Sequence, residues 1–413
     1  MTVTRETATD ARLRSQRERL LAAAVEVVAQ RGYEATRVKD LLDASGVPRN
    51  AFYKVFSNKD ECFLAAVDQL VELAGPAVLD VYDKTPGSWE QRTRAMLDAL
   101  AAMVAAHPTA ARVAWIEAYA AGDEGVRRVD RIDARTERIV RGALAESPER
   151  AGLPPEVVRA LVGGVRKMIH TRLREGREGE LRGEMPELFD WMLRYRTPSQ
   201  RLRRPRRPPR GLVPEPSPAV APRDRILVAV AQLVAERGYQ SMAITEIAQR
   251  ASVSLTTFYD IFTGKEEAFV ATMDLGLRRA IGAVFPIYQA APDWPHAVAR
   301  GLHAFFALFS TDAALSRLGA IGAYESTPGG MAHLDHGIAA AQNLLRPGFE
   351  LHPDTPPIAA EAIGSSIYSL MSRQIRRRGP EHLYELAPTA AFIALAPVVG
   401  SAEAARVANA VPV

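Results

Sequence analysis

The stretch Thr36–Lys59, TRVKDLLDASGVPRNAFYKVFSNK, returns as Met242–Lys265, MAITEIAQRASVSLTTFYDIFTGK. Gly32 and Gly238, Tyr53 and Tyr259, and Lys59 and Lys265 each lie 206 residues apart, so the two copies align without a gap. A chain that writes one module twice has to build the same local structure twice. Each copy reads as helix, tight turn, helix. Val38, Leu41 and Leu42 give the first helix an apolar face. Gly46 can take the positive φ of a sharp turn at little steric cost. Pro48 suits the first turn of the next helix, where its missing N–H has no partner to lose.

Along that second helix Val47, Ala51, Phe52 and Val55 make a stripe to bury, whereas Arg49, Asn50, Tyr53 and Lys54 face outward. Arg can clamp guanine O6 and N7, Asn can pair with adenine N6 and N7, and Tyr and Lys can hold phosphate. The pattern is that of a helix-turn-helix with a recognition helix. Gly32-Tyr33, Thr36, Gly46-Val47, Phe52-Tyr53, Phe56 and Lys59, preceded by a helix over about Ala11–Gln30, resemble the N-terminal domain of the TetR family of bacterial transcriptional repressors. The second copy matches at Arg237-Gly238-Tyr239, Ile247-Ala248, Val253-Ser254, Phe258-Tyr259, Phe262 and Lys265.

The resemblance implies an all-α chain of two TetR-like units, each a three-helix DNA-binding head followed by a helical ligand-binding and dimerisation body. The expected boundaries are 11–57 and 58–198 for the first head and body, 199–222 for a linker, and 223–263 and 264–413 for the second pair. Length agrees, since single cores stop growing near roughly 250 to 300 residues and the chain has 413. The closing helices of each body are expected over Pro155–Arg174 with Pro186–Tyr195, and Glu361–Arg377 with Pro388–Val398. Gly163-Gly164 on the first of these permits close approach of another helix. In the family this pair forms a four-helix bundle with its counterpart in a second subunit.

Between the units runs RLRRPRRPPRGLVPEPSPAVAP, Arg201–Pro222. A polyproline-rich spacer of some 20 residues reaches on the order of 60 Å. Its arginines read as a solvated, self-repelling run or as contacts to DNA backbone. Tethering two complementary faces raises their effective concentration, so intramolecular pairing of the halves is expected, with a homodimer of two chains as the alternative. Such a pseudo-dimer would place two unlike heads about one helical turn apart on an asymmetric operator.

The candidate DNA-binding residues of the first head are Thr36, Arg37, Pro48, Arg49, Asn50, Tyr53, Lys54 and Lys59. Those of the second are Ser254, Leu255, Thr256, Tyr259 and Lys265, with Asp260 opposite Lys54, Ser252 in place of the turn glycine and Ala243 where a Ser or Thr cap is usual. Phosphate anchoring is thus expected to survive there while base reading is poorer. If the second head reads no DNA, that unit is a scaffold or ligand sensor. Arg12, Arg14, Arg17 and Arg19 on the first helix read either as phosphate contacts or as a solvated end.

Net charge is only +4, and location says more. Lys39, Lys54, Lys59 and Lys265 fall inside the two modules, where phosphate neutralisation needs them. The expected partners are a double-stranded DNA operator and a small, largely apolar effector. Effector contacts are assigned to Trp115, Tyr119, Phe305, Phe309 and Tyr324, although aromatic residues at helical spacing equally suit plain core.

No cofactor and no metal are expected. His333 and His336 stand three apart, without Cys or Glu to complete a ligand set. The single cysteine, Cys62, reads as a buried thiol rather than a redox sensor. No unbroken apolar run approaches about 18 residues, and the N-terminus mixes acid and base without an apolar stretch. Both point to a cytoplasmic protein with no membrane partner. No nucleophile, base and orienter set, phosphate loop or metal-ligand spacing supports an enzyme.

Overall fold

The computed structural model describes residues 8–213, 219–319 and 328–410, with helices and turns and no strand among them. Two compact units emerge, one of Met1–Ile139 with Ile169–Pro186, the other of Val140–Met168 with Glu187–Val413. The units do not follow the sequence repeat: residues 140–168 and 187–198, on the first side of the linker, cluster with the second copy.

In the first unit, α1 (Ala8–Arg31), α2 (Val38–Ser45), α3 (Arg49–Val55) and α4 (Lys59–Lys84) build the head. Leu20, Leu21 and Ala24 of α1 meet Leu41, Phe52, Phe56, Cys62 and Ala66 in one buried cluster. The turn after α2 uses Gly46 at φ 62°. The Arg19 Nε donates to the Ser45 carbonyl at 3.0 Å, taking a group that the helix end leaves without a partner. Asn58 caps α4, its Oδ1 accepting from the Glu61 amide at 2.8 Å.

Cys62 lies inside the head core, where burial pushes its thiol up to about 12, the charge of Arg17 offsetting this only in part. The thiolate is the reactive form, so the folded chain is expected to resist a disulfide reagent at pH 8 and to react fully once unfolded. Fast reaction of the native chain would contradict the packing.

The body of the first unit continues with α5 (Trp89–Ala106), the short segments Pro108–Arg112 and Ala118–Ala120 with a π turn over Val113–Glu117 between them, and α6 (Gly122–Ala145). A second buried cluster ties head to body: Val28, Tyr33, Phe63 and Val67 pack with Val113, Ala118 and Val129. Helices α7 (Pro155–Glu175) and α8 (Leu181–Leu193) close the repeat. Contrary to expectation, α8 starts before Pro186. Buried Leu181, Met185, Leu188, Phe189 and Met192 carry one apolar stripe through the proline, and that burial offsets the hydrogen bond the ring removes.

The second unit holds α9 (Pro222–Arg237), α10 (Ile244–Ala251), α11 (Leu255–Ile261) and α12 (Lys265–Gln289) as its head and lever. Its body has α13 (Trp294–Thr311), α14 (Pro328–Gln342), α15 (Ala359–Arg378), α16 (Ala387–Val399) and α17 (Ser401–Ala410). Within this unit α7 meets α15 where glycine leaves room. A Cβ on Gly163 would lie 2.0 Å from Ser369 Oγ, and one on Gly164 2.1 Å from Ser366 Oγ. Gly163 and Ser369 are 206 residues apart, so this position meets its own counterpart, as at a pseudo-two-fold axis. Nearby, the Tyr195 hydroxyl donates to the Ile393 carbonyl at 2.8 Å and its ring packs on Phe392.

The start of the linker is docked rather than solvated. The Arg203 amide donates to Asn409 Oδ1 at 2.9 Å, Asn409 Nδ2 donates to the Arg201 carbonyl at 3.0 Å, and Leu202 is buried. Two helical stretches, Lys59–Lys84 and Pro380–Val399, are long and apolar enough to cross a membrane by composition. The first is not an unbroken apolar run, since Asp68 and Glu72 interrupt it. In the fold Asp68 takes Arg128 Nε at 2.9 Å, and 83% of the second stretch's apolar window is buried in the protein.

Candidate nucleic-acid interface and effector cavity

The two heads share a scaffold position by position. Phe52 and Phe56 stack 6.1 Å apart in the first, and Phe258 and Phe262 5.9 Å apart in the second. Tyr33 packs on Phe63 at 4.7 Å and Tyr239 on Phe269 at 4.9 Å. Arg31 pairs with Asp40 at 2.9 Å, and Arg237 with Glu246 at 2.6 Å. Neither α2 nor α10 has a side-chain N-cap. Instead Asp40 and Glu246 reach back to the amides of Arg37 and Ala243, which is why the absence of Ser or Thr at Ala243 changes little.

The turn is where the second scaffold strains. Ser252 sits at φ 53°, the only non-glycine residue with positive φ among those described. Left-handed backbone costs an L-residue roughly 1–2 kcal/mol, partly offset by the entropy glycine loses on folding. Ser252→Gly is therefore expected to stabilise the chain by about 0.5–1 kcal/mol, read as a higher urea midpoint. A lower midpoint would show that the serine is held by something other than the turn.

The outward faces differ. In the first head Arg37, Lys39, Pro48, Arg49, Asn50 and Lys54 are exposed, and Tyr53 is 49% exposed, its ring 5.9 Å from the Arg49 guanidinium. At the same positions the second head has Ala243, Thr245, Ser254, Leu255, Thr256 and Asp260. Four cations are replaced by three neutral residues and one acid. Leu255 is 45% and Tyr259 57% exposed, so an apolar and an aromatic group remain on that surface. Ser254 faces solvent but its Oγ already caps the Thr257 amide at 2.9 Å. Lys39 and Thr245 belong to the face as well, although a reading centred on the recognition helix left them out of the candidate contacts.

Three expectations change. Thr36 is only 2% exposed and its hydroxyl donates to the Gly32 carbonyl at 2.8 Å, which removes it from base reading. Lys59 and Lys265 are tied to their own heads: Lys59 donates to the Tyr33 carbonyl at 3.0 Å, and Lys265 to those of Gln240 and Met242, each at 3.3 Å. An ammonium has three protons, so these bonds leave donors over while fixing where each lysine stands. Arg17 and Arg223 lie over the Phe56 and Phe262 rings at 5.8 and 5.4 Å, a scaffold role that neither solvent nor DNA had suggested.

Tyr33 joins the first head to its body. Its amide donates to Glu117 Oε2 at 2.8 Å, from the π turn. Burial pushes the Glu117 carboxyl up, and the Tyr33 hydrogen bond and the charge of Arg112 only partly oppose that. Of the proposed effector contacts, Tyr119 instead packs on this head–body cluster and edge-on to His170, and Trp115 is half-buried in the same π turn. Tyr324 lies outside the described residues.

Phe305 and Phe309 do line a cavity, of about 220 Å³ in the second body. Leu277, Val284, Leu302 and Ile338 complete a wall that is almost wholly apolar. Two of its polar groups are already engaged, Tyr288 with the Leu344 carbonyl at 2.9 Å and Tyr368 with the Gly319 carbonyl at 3.2 Å. His333, also in the wall, has Nε2 3.0 Å from Asp274 Oδ1.

A family profile described as bacterial regulatory proteins, tetR family, matches residues 20–66 and again 226–272. Over 75 residues the chain is 35% identical to YezE, an uncharacterized HTH-type transcriptional regulator of Bacillus subtilis (strain 168), covering 18% of this chain and 38% of that protein. Over 61 residues it is 33% identical to an uncharacterized HTH-type transcriptional regulator in the lacX 3' region of Lactococcus lactis subsp. lactis, covering 15% and 31%. The chain thus spans about a third of the length of these curated relatives. Solved structures similar to it include the fatty acid degradation regulator FadR from Bacillus halodurans, at 18% identity and TM-score 0.37, over 42% of this chain and 97% of that one. Another is the TetR family transcriptional regulator PfmR from Thermus thermophilus, at 24% identity and TM-score 0.35, over 42% and 95%.

Proposed function

Because the chain belongs to the tetR family of bacterial regulatory proteins and carries the family's DNA-binding module twice, we propose that it is a transcriptional repressor that reads an asymmetric operator with two unlike heads. The observation that carries this reading is the pairing of one repeated scaffold with two divergent faces. Arg49 and Asn50 read bases in the first head, while Arg37, Lys39, Tyr53 and Lys54 hold backbone. Lys59 steadies the Tyr33 loop and offers its remaining protons to phosphate. In the second head Tyr259 and Lys265 grip backbone, and Leu255 meets a thymine methyl, the apolar contact such a side chain can make.

The close contact of Gly163 with Ser369 and Gly164 with Ser366 supports intramolecular pairing of the repeats, so that one chain is the working unit. The apolar cavity takes the effector. At about 220 Å³ it is smaller than the ~300–1,000 Å³ typical of drug-sized pockets, which favours a small hydrophobic molecule. Effector binding shifts the chain toward a conformation of lower DNA affinity, by differential affinity for the two states.

A second reading has support of its own: with every reading-face cation gone, the second head could serve as scaffold only. Footprinting of the intact chain separates the two. Leu255→Ala with Tyr259→Ala is expected to shorten protection on one side of the site, and full protection at unchanged affinity would assign that head a scaffold role.

A further inference from the structure

We infer that the second unit holds a site for a small multivalent oxyanion of the phosphate class, set where α7 of the first repeat meets α15 of the second. A pocket of about 160 Å³ opens there. Its lining contains five guanidiniums, those of Arg159, Arg204, Arg373, Arg377 and Arg378, against two carboxylates, Glu156 and Glu385, so the lining carries an excess of three positive charges (five minus two).

Both carboxylates are held ionised. Burial pushes Glu156 up, but the hydrogen bond from Arg204 and the charges of Arg204 and Arg159 more than reverse it. Burial likewise raises Glu385, and hydrogen bonds from Arg378 and His382 bring it below the ordinary carboxylate range. Arg378 forks Glu385 at 2.7 and 3.3 Å, and Arg204 pairs with Glu156, so two of the five cations are anchored at the edge. Arg373 is 7% exposed, and Arg159 is half-buried. A guanidinium taken partly out of water offers its charge through a low dielectric, and its planar fork matches two oxygens of a phosphoryl group.

The repeat shows that two of these cations are one-sided. The 206-residue offset sets Arg373 against Lys167 and Arg378 against Arg172, basic in both repeats, but Arg159 against Ser365 and Arg377 against Thr171. The equivalent place in the other repeat therefore lacks these two guanidiniums, and one anion per chain is expected. Since Arg159 comes from one repeat and Arg373 and Arg377 from the other, a bound oxyanion ties the two together.

The test is calorimetric titration of the intact chain with sodium pyrophosphate, and separately with sodium phosphate, in dilute chloride buffer. Sodium chloride at matched ionic strength is the control. One saturable site per chain is expected, with pyrophosphate the tighter ligand. Arg159→Gln and Arg377→Gln should each weaken it at least tenfold, as loss of a charge-assisted hydrogen bond does. Heats reproduced by sodium chloride, or pyrophosphate affinity unchanged in the double variant, would overturn the inference. If the double variant folds poorly, the two single variants carry the same comparison.

Discussion

Replacing Arg49 and Asn50 together by alanine is expected to weaken binding to the preferred duplex by about 2–6 kcal/mol, since a good bidentate base contact contributes roughly 1–3 kcal/mol of discrimination. Affinity for random duplex should fall far less, so specificity collapses along with strength. Arg37→Ala and Lys54→Ala belong to a different class. Each should lower affinity for all sequences and reduce the salt slope by about one. Thr256→Ala and Leu255→Ala, at the positions of Asn50 and Arg49 in the second head, should cost under about tenfold, because neither carries a bidentate fork. Fluorescence anisotropy at several salt concentrations measures all of these at once. Equal losses from the two heads would mean that Leu255 and Thr256 do more than their chemistry suggests.

Gly163→Val with Gly164→Val should cost several kcal/mol of stability, since overpacking of a tight contact costs about 1–3 kcal/mol per site and sometimes more. The Cβ atoms would fall 2.0 Å from Ser369 Oγ and 2.1 Å from Ser366 Oγ, and for Gly164 the Ala362 carbonyl and Ser366 amide also stand at 3.1 Å. Backbone cannot yield there as a side-chain tip can. Ser369→Gly in the Gly163→Val chain should recover part of the loss, a coupling that a merely local defect would not show. The parent should scatter light as 45.0 kDa. The wedged variant, with its apolar faces parted, should gather into larger particles. Retained stability in the double valine chain would remove the α7–α15 contact as the basis of pairing.

The head was legible in the sequence because its core residues recur at one offset. Leu20 and Ile226, Leu41 and Ile247, and Phe52 and Phe258 are buried in both copies. Outward faces were legible for the same reason, as whatever changes between copies is free of the core. What residue types could not reveal is which hydrogen bonds the scaffold has already taken. Thr36, Lys59, Arg17 and Arg19 are polar or charged, and in the fold a carbonyl or a ring claims each. Comparing copies could have found two of them, since Arg223 and Arg225 stand at the places of Arg17 and Arg19.

The bodies were less legible. Their cavity and arginine pocket draw on side chains far apart in sequence, from Met273 to Ala394 and from Glu156 to Leu386. Helical periodicity identifies a face to bury without saying what covers it. Glu117 is not legible in the sequence, because a lone acid on an apolar helix resembles a solvated charge, and its partner, the Tyr33 amide, lies 84 residues away.

Whether one chain reads DNA with two different surfaces on one repeated scaffold is tested most directly by selecting bound sequences from a random duplex pool with the intact chain. A non-palindromic motif is expected, with one well-defined half that depends on Arg49 and Asn50 and one loosely defined half that survives their loss. A palindrome with two equal halves would contradict it.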